Sequence, residues 1–152
     1  DILFIFTENV LSERLKIIQD FKSHCNFIKE KLDVKTINLF ELFTTDFLAR
    51  KSVLVEGYSL IYDMPFAKRL GFEGYVLFTY NLINLDLTTK TRFTYALIGR
   101  KYKNIKNPGI LTKLDAKVLG RASILIPVKK ELVFEDFLIH WKVRYLKRQV
   151  LI

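Results

Sequence analysis

The first 39 residues constrain the fold more than any other stretch, because they switch between two hydrophobic periods. Residues 1–6 (DILFIF) make a short apolar run of β-favouring residues bounded by Thr7 and Asn9, which predicts a buried strand. Thr7 is placed to cap a following helix, with Glu8 in its first turn. Leu11, Leu15, Ile18, Phe21, Cys25, Ile28 and Leu32 then recur at spacings of three or four, the pattern of one long amphipathic helix with a single core face. Val34 to Leu39 return as a second strand. A β-α-β unit of this length favours a parallel pair.

Downstream the periods are shorter. Thr44 or Thr45 is the expected cap of a helix that Gly57 ends, with Phe47, Leu48, Leu54 and Val55 facing inward. Tyr58 to Tyr62 read as a brief strand before a turn at Pro65, and a helical turn runs from Phe66 to Leu70 and stops at Gly71. Gly74 opens the strand YVLFTY. Thr88 is the expected cap of a helix reaching Ile98, with Phe93, Ala96 and Leu97 as its buried stripe and Gly99 beyond its end. Residues 100–113 are polar and basic and contain Pro108-Gly109, which predicts a loop. KVLGRASILIP reads as a single strand in which Gly120 marks a bulge or a close backbone approach. Glu131 to Trp141 form a helix and VRYLKRQVLI a closing strand.

At 152 residues the chain suits one domain, or two small ones sharing a core. The expected fold class is α/β or α+β, with mixed sheets covered by helices on at least one face. The boundary is expected between Pro65 and Gly74, giving a β-α-β region over 1–64 and a basic α+β region over 65–152. No run approaches the ~18 apolar residues that cross a bilayer, so no membrane partner is expected. No secretory signal is visible, and a chain opening on Asp1 is expected to have lost residues upstream. Cys25 is the single cysteine, which excludes an intrachain disulfide and makes a cytoplasmic location the expectation. With only Cys25, His24 and His140 as soft donors, a zinc-finger-type centre is excluded.

Charge points to the partner. Residues 1–76 hold 10 Lys/Arg and 11 Asp/Glu, whereas residues 77–152 hold 15 and 5. Such an excess repels itself in a compact state and signals a polyanionic partner or anionic surface. The candidate contacts are Arg92, Arg100, Lys101, Lys103, Lys106, Lys113, Lys117 and Arg121, with Tyr95, Tyr102 and Tyr145 interleaved. Cations neutralise phosphates, and an exposed aromatic face stacks on an unpaired base. The glycines after Ile98, after Pro108 and before Arg121 would admit a phosphate to the backbone. Taken singly, these residues also fit a solvated basic face. On the closing strand, alternation puts Arg144 and Arg148 on one side and Lys147 on the other, a pattern equally suited to protecting a sheet edge.

Asp1 before the strand ILFIF, a long helix, the strand VKTINL and the stretch FLARKSVLVEGYSLIYD together resemble a minimal nucleotidyltransferase domain. GFEGYVLFTY, TRFTYALIGRK and GRASILIPV resemble the basic C-terminal region that accompanies such domains in archaeal proteins. The resemblance implies that Asp1 stands where the family's second magnesium ligand lies. The family's Gly-Ser signature and first Asp are absent here. The outward positions of VKTINL carry Thr36 and Asn38 in place of its third carboxylate, which weakens a two-metal site. The implication is nucleotidyltransferase ancestry with an incomplete metal motif, that of a pseudoenzyme.

Adjacent His24 and Cys25 point about 100° apart on a helix and do not make a nucleophile–base pair. Glu131, Glu135, Asp136 and His140 suit the dipole of their own helix. A nuclease could gather Asp86, Asp115 and Glu135, although nothing in their spacing supports it. The leading expectation is a nucleic-acid-binding protein, for DNA or RNA, that grips phosphate backbone without a cofactor. The alternative is a magnesium-dependent nucleotidyltransferase or nuclease. A third is an interaction module for an acidic protein. An unpaired edge strand at either end could pair with another copy, giving a homo-oligomer.

Overall fold

A computed structural model describes residues 1–25, 32–102 and 105–152, with the backbone alone for 101–102 and 105–107. The fold is α+β, and the chain divides into two compact units, Asp1–Lys51 and Ser52–Ile152. The first is the expected β-α-β unit. Strands β1 (Ile2–Phe6) and β2 (Val34–Asn38) run parallel, with Ile2 opposite Val34 and Phe6 opposite Asn38, and helix α1 (Leu11–His24) lies in the crossover.

Helix α1 differs from expectation in start, end and phase. Val10, not Thr7, precedes its first turn and offers no side-chain cap. Cys25 ends it, and Ile28 lies outside the described residues. Its buried positions are Arg14 and Ile18, while Leu11 and Leu15 are exposed. The phase is shifted because Arg14 has a partner on a second element. Helix α2 (Leu39–Phe43) begins where the strand VKTINL was expected to continue. Asn38 Oδ1 accepts from Glu41 N at 2.6 Å, and the Glu41 carboxylate accepts from Asn38 N at 2.7 Å, a reciprocal capping box. The same carboxylate accepts both Arg14 terminal nitrogens, at 2.8 and 3.0 Å. Paired in this way, the guanidinium can be buried with its apolar stem inward.

This arrangement has a pH signature. The Arg14 guanidinium, then the Asn38 backbone N–H, hold the Glu41 carboxyl down at about 2 from an ordinary 4.5. A carboxyl depressed on folding stabilises the folded chain above its ordinary value and loses that effect as pH falls through the folded one. The urea midpoint of the first unit, followed by far-UV circular dichroism, should therefore fall as pH drops from 4.5 towards 2. Glu41→Gln should lower the midpoint at neutral pH and remove that part of the acid dependence. An acid profile identical in the variant would show that the Arg14–Glu41 pair does not stabilise the fold.

Helix α3 (Arg50–Glu56) starts later than expected, and the division between the units falls inside it. Thr44, expected to open a helix, closes α2, its N–H and hydroxyl both donating to the Glu41 carbonyl. Val55 is buried as expected, but Leu48 is 94% exposed because residues 44–49 are not helical.

The units also part earlier than the expected Pro65–Gly74 boundary. Strands β3 (Tyr58–Ser59) and β4 (Met64–Pro65) form an antiparallel hairpin, and Phe66 N donates to Gly57 O at 2.8 Å. Helix α4 (Phe66–Arg69) follows, and Glu73 and Ile152 exchange two backbone hydrogen bonds. These bonds hold residues 57–73 within the second unit.

The second unit is built on an antiparallel sheet in the order β10-β5-β9-β8. Its strands are β5 (Gly74–Asn81), β8 (Lys117–Gly120), β9 (Ser123–Pro127) and β10 (Arg144–Leu151). Helices α5 (Leu87–Ile98), α6 (Ile110–Lys113) and α7 (Glu131–His140) contribute to one core with it. Val76, Phe78, Ile124 and Ile126 of the sheet meet Phe93, Leu97, Leu111, Phe134 and Leu138 of the helices. Alternation along β5 and β9 supplies this inward row. The cap of α5 is Asp86 rather than Thr88, with its carboxylate accepting from Thr89 N and Oγ1 at 3.0 and 2.6 Å. A charged cap also favours the helix dipole.

Two expectations of irregular or single elements fail here. Where a loop was expected over 100–113, β6 (Gly99–Tyr102) and β7 (Ile105–Pro108) pair antiparallel and α6 follows, residues 103–104 lying outside the described ones. KVLGRASILIP is a hairpin rather than one strand, β8 reversing into β9 at Arg121-Ala122. The bulge at Gly120 is present between Val118 and Gly120, but a Cβ at Gly120 would meet nothing within 4 Å, so there is no close approach.

Gly109 is the opposite case. A Cβ there would lie 2.3 Å from Gly99 N, Ile98 C and Leu97 O, all backbone atoms that cannot swing aside. Gly109→Ala should cost about 1–3 kcal/mol through overpacking. Gly120→Ala should stay within about 0.5 kcal/mol. Urea denaturation followed through Trp141 fluorescence compares the two. Equal effects would mean that Gly109 does not pack against the end of α5.

Candidate nucleic-acid interface

The division of the chain sharpens the charge asymmetry. Residues 1–51 hold 8 Lys/Arg and 8 Asp/Glu, a net of zero, while residues 52–152 hold 17 and 8, a net of +9. The carboxylates of the second unit are largely engaged locally. Glu73 accepts from Tyr75 Oη at 2.8 Å and Lys117 Nζ at 3.4 Å, and both partners hold its carboxyl below the usual range. Asp63 accepts from Tyr58, Asp115 pairs with Lys130, and Glu56 meets Gln149. Lys147 lies between Glu131 and Glu135 at 2.7 and 2.8 Å, and these partners raise its pKa. Among the described residues no ion pair involves Lys90, Arg92, Lys113, Arg121, Arg144 or Arg148, so their charge faces solvent or a partner.

A cleft of about 610 Å³ opens where α5, the base of the β6–β7 hairpin, α6 and α7 meet. Tyr95, 46% exposed, forms one wall, and the Arg100 guanidinium lies over its ring, 4.9 Å from the centre. Lys113 sits at the end of α6, where a cation also suits the helix dipole. Ile110, Val133 and Phe137 supply apolar lining. Arg92 lies three and four residues before Tyr95 and Ala96, so it extends the same side of α5 by one turn. The site therefore joins an aromatic ring, apolar lining and a stripe of cations.

Of the expected contacts, Arg100 and Lys113 come together at this cleft and Arg92 adjoins it. Lys101, Tyr102 and Lys106 belong to the hairpin that starts at Gly99, with Lys101 and Lys106 at paired positions. Lys103 lies outside the described residues. Lys117 is not among the cleft residues: it is bound to Glu73 and lies 4.4 Å from the centre of the Tyr75 ring. Arg121 is in the β8–β9 turn, where its carbonyl accepts from Tyr80 Oη at 3.2 Å. Gly109, expected to admit a phosphate, is filled by the chain's own backbone. The apolar lining went unforeseen, since Val133 and Phe137 follow Tyr95 by about forty residues and no local pattern links them. Tyr95 itself was legible, one turn beyond Arg92 on a helix.

Several residues weighed for metal-dependent chemistry, at the strand VKTINL and in the possible nuclease set, have the following surroundings. Asn38 is a helix cap, and the Thr36 hydroxyl is buried without a hydrogen-bond partner. Asp86 caps α5, Asp115 holds Lys130 and Glu135 holds Lys147 and Tyr145, so the three carboxylates do not converge. Among the described residues no three His, Cys, Asp or Glu side chains gather as a metal site. Comparison with protein-family models, with curated proteins and with solved structures gave no match. Among the described residues no helix is long and apolar enough to cross a membrane.

Proposed function

We propose that the protein is a cytoplasmic nucleic-acid-binding protein whose second unit grips the phosphate backbone without chemistry. One observation carries this reading: the whole net charge of +9 falls on residues 52–152, and most of the carboxylates there are spent on local contacts. An unneutralised surface of this kind binds phosphates by releasing their counterions.

The test is fluorescence anisotropy of labelled single- and double-stranded oligonucleotides over a salt series, with the products run on a gel. The expected result is affinity falling linearly with log salt and an intact probe, with or without magnesium. A probe shortened or extended only with magnesium would replace this reading by the catalytic one. No binding at low salt would remove nucleic acid as the partner.

The cleft makes a smaller prediction. Lys113→Ala should reduce the salt slope by about 1 and weaken binding similarly for every sequence, as removing one phosphate-binding cation does. An unchanged slope would place Lys113 outside the interface.

A further inference from the structure

We propose that the cleft beside Tyr95 receives one unpaired base of a single strand, with the adjoining phosphates on Arg92, Arg100 and Lys113. This rests on the reading of the second unit as a nucleic-acid binder and names the strand form it takes. A volume of about 610 Å³ suits a planar ring and its sugar, within the ~300–1,000 Å³ typical of small-ligand pockets.

The wall is of the right kind. Unpaired bases stack on aromatic rings and on guanidinium planes, and here the two are already layered, Arg100 over Tyr95. Ile110, Val133 and Phe137 would keep water from the rest of the base. In a duplex the bases are stacked inside, and presenting one to a pocket costs the energy of unstacking it. A single strand offers the base freely.

Charge separates this ligand from a simple amphipathic acid. A fatty carboxylate needs one cation, whereas Arg92 and Lys113, neither in an ion pair among the described residues, already offer two. The positive charge runs from Arg92 on α5 through the cleft at Arg100 to Lys113 at the end of α6. A chain of phosphates matches a stripe of that length. The neighbouring carboxylates Asp115 and Glu135 are held by Lys130 and by Lys147 with Tyr145.

The experiment compares a thymidine oligomer with an abasic oligomer of equal length and charge, binding each to the full chain at one salt concentration and then across a series. The thymidine oligomer should bind about tenfold tighter or more, since one stacked base is worth roughly 5–150-fold, with the same salt slope for both. Tyr95→Ala should bring the thymidine oligomer to the abasic level without altering the slope, while Tyr95→Phe keeps the preference. Val133→Trp, which fills the cleft mouth, should act like Tyr95→Ala. Both positions are about half exposed, so the variants should fold, as circular dichroism will report. Equal affinity of the wild-type chain for both oligomers would overturn the base pocket and leave backbone binding standing. A preference that survives Tyr95→Ala and Val133→Trp would also overturn it. Failure to bind either oligomer or a duplex would overturn the reading beneath it.

Discussion

Replacing Phe93 by Ala should lower the unfolding free energy by about 3–5 kcal/mol, the range for deleting a buried aromatic ring. Phe93 is fully buried on α5, with ring centres of Tyr80, Phe137 and Trp141 at 5.7, 5.5 and 5.8 Å. It joins the sheet, through Tyr80 of β5, to α7. No neighbour can refill the space without leaving its own packing, so the cavity persists. Domains are stable by only about 5–15 kcal/mol, so the loss is a large fraction of the whole. Urea denaturation followed by far-UV circular dichroism gives the number, with Leu132→Ala as the comparison. Leu132 is on α7 but exposed, and its removal should stay within about 0.5 kcal/mol. The two should differ widely. A loss below about 1 kcal/mol for Phe93→Ala would mean that α5 does not pack on this core. Affinity for nucleic acid should fall with it, because the same helix carries Arg92 and Tyr95.

The triple variant Lys101→Ala, Lys103→Ala, Lys106→Ala should have the largest effect on binding. Each phosphate-binding lysine removed lowers the salt slope by about 1, so the slope should fall by about 3 while affinity weakens for every sequence alike. Lys147→Ala removes the same kind of charge elsewhere and serves as the control. That lysine is held by Glu131 and Glu135, so the slope should barely change. Salt titrations of the variants decide the matter. If the triple variant keeps the wild-type slope, the hairpin does not bind the phosphates.

The hydrophobic pattern was legible where it was strong and local. The strand over residues 1–6, the strand YVLFTY and the helix from Glu131 to Trp141 were expected from their apolar patterns. Burial agrees on β5 and α7, whereas every residue of β1, expected to be buried, is only half-buried. Helix α2 was missed although its signal was present: Asn38 and Glu41 have the three-residue spacing of a capping box. The β6–β7 hairpin carried little such signal. Arg100, Lys101, Lys106 and Asn107 are polar, so no apolar alternation in the sequence marks its two strands. On α1 the period was read correctly and the phase wrongly. Arg14 took a core position because Glu41, 27 residues away, neutralises it.

The interface divides along the same line. Composition alone places the positive charge in the second half, because charge is a sum over residues and needs no coordinates. Which cations remain available is a tertiary matter. Glu73 engages Lys117 across 44 residues, and Glu131 and Glu135 engage Lys147 across 16 and 12. Sequence spacing does not reveal such meetings, because they depend on how the sheet brings its strands together. The cleft belongs to the tertiary structure as well. The sequence determined the strands and helices with strong apolar patterns and a basic second half, since these follow from local patterning and summed charge. Only packing α5, α6 and α7 into one core brought Tyr95, Lys113 and Phe137 to a single opening, because proximity between distant segments is created by burial of the apolar faces they share.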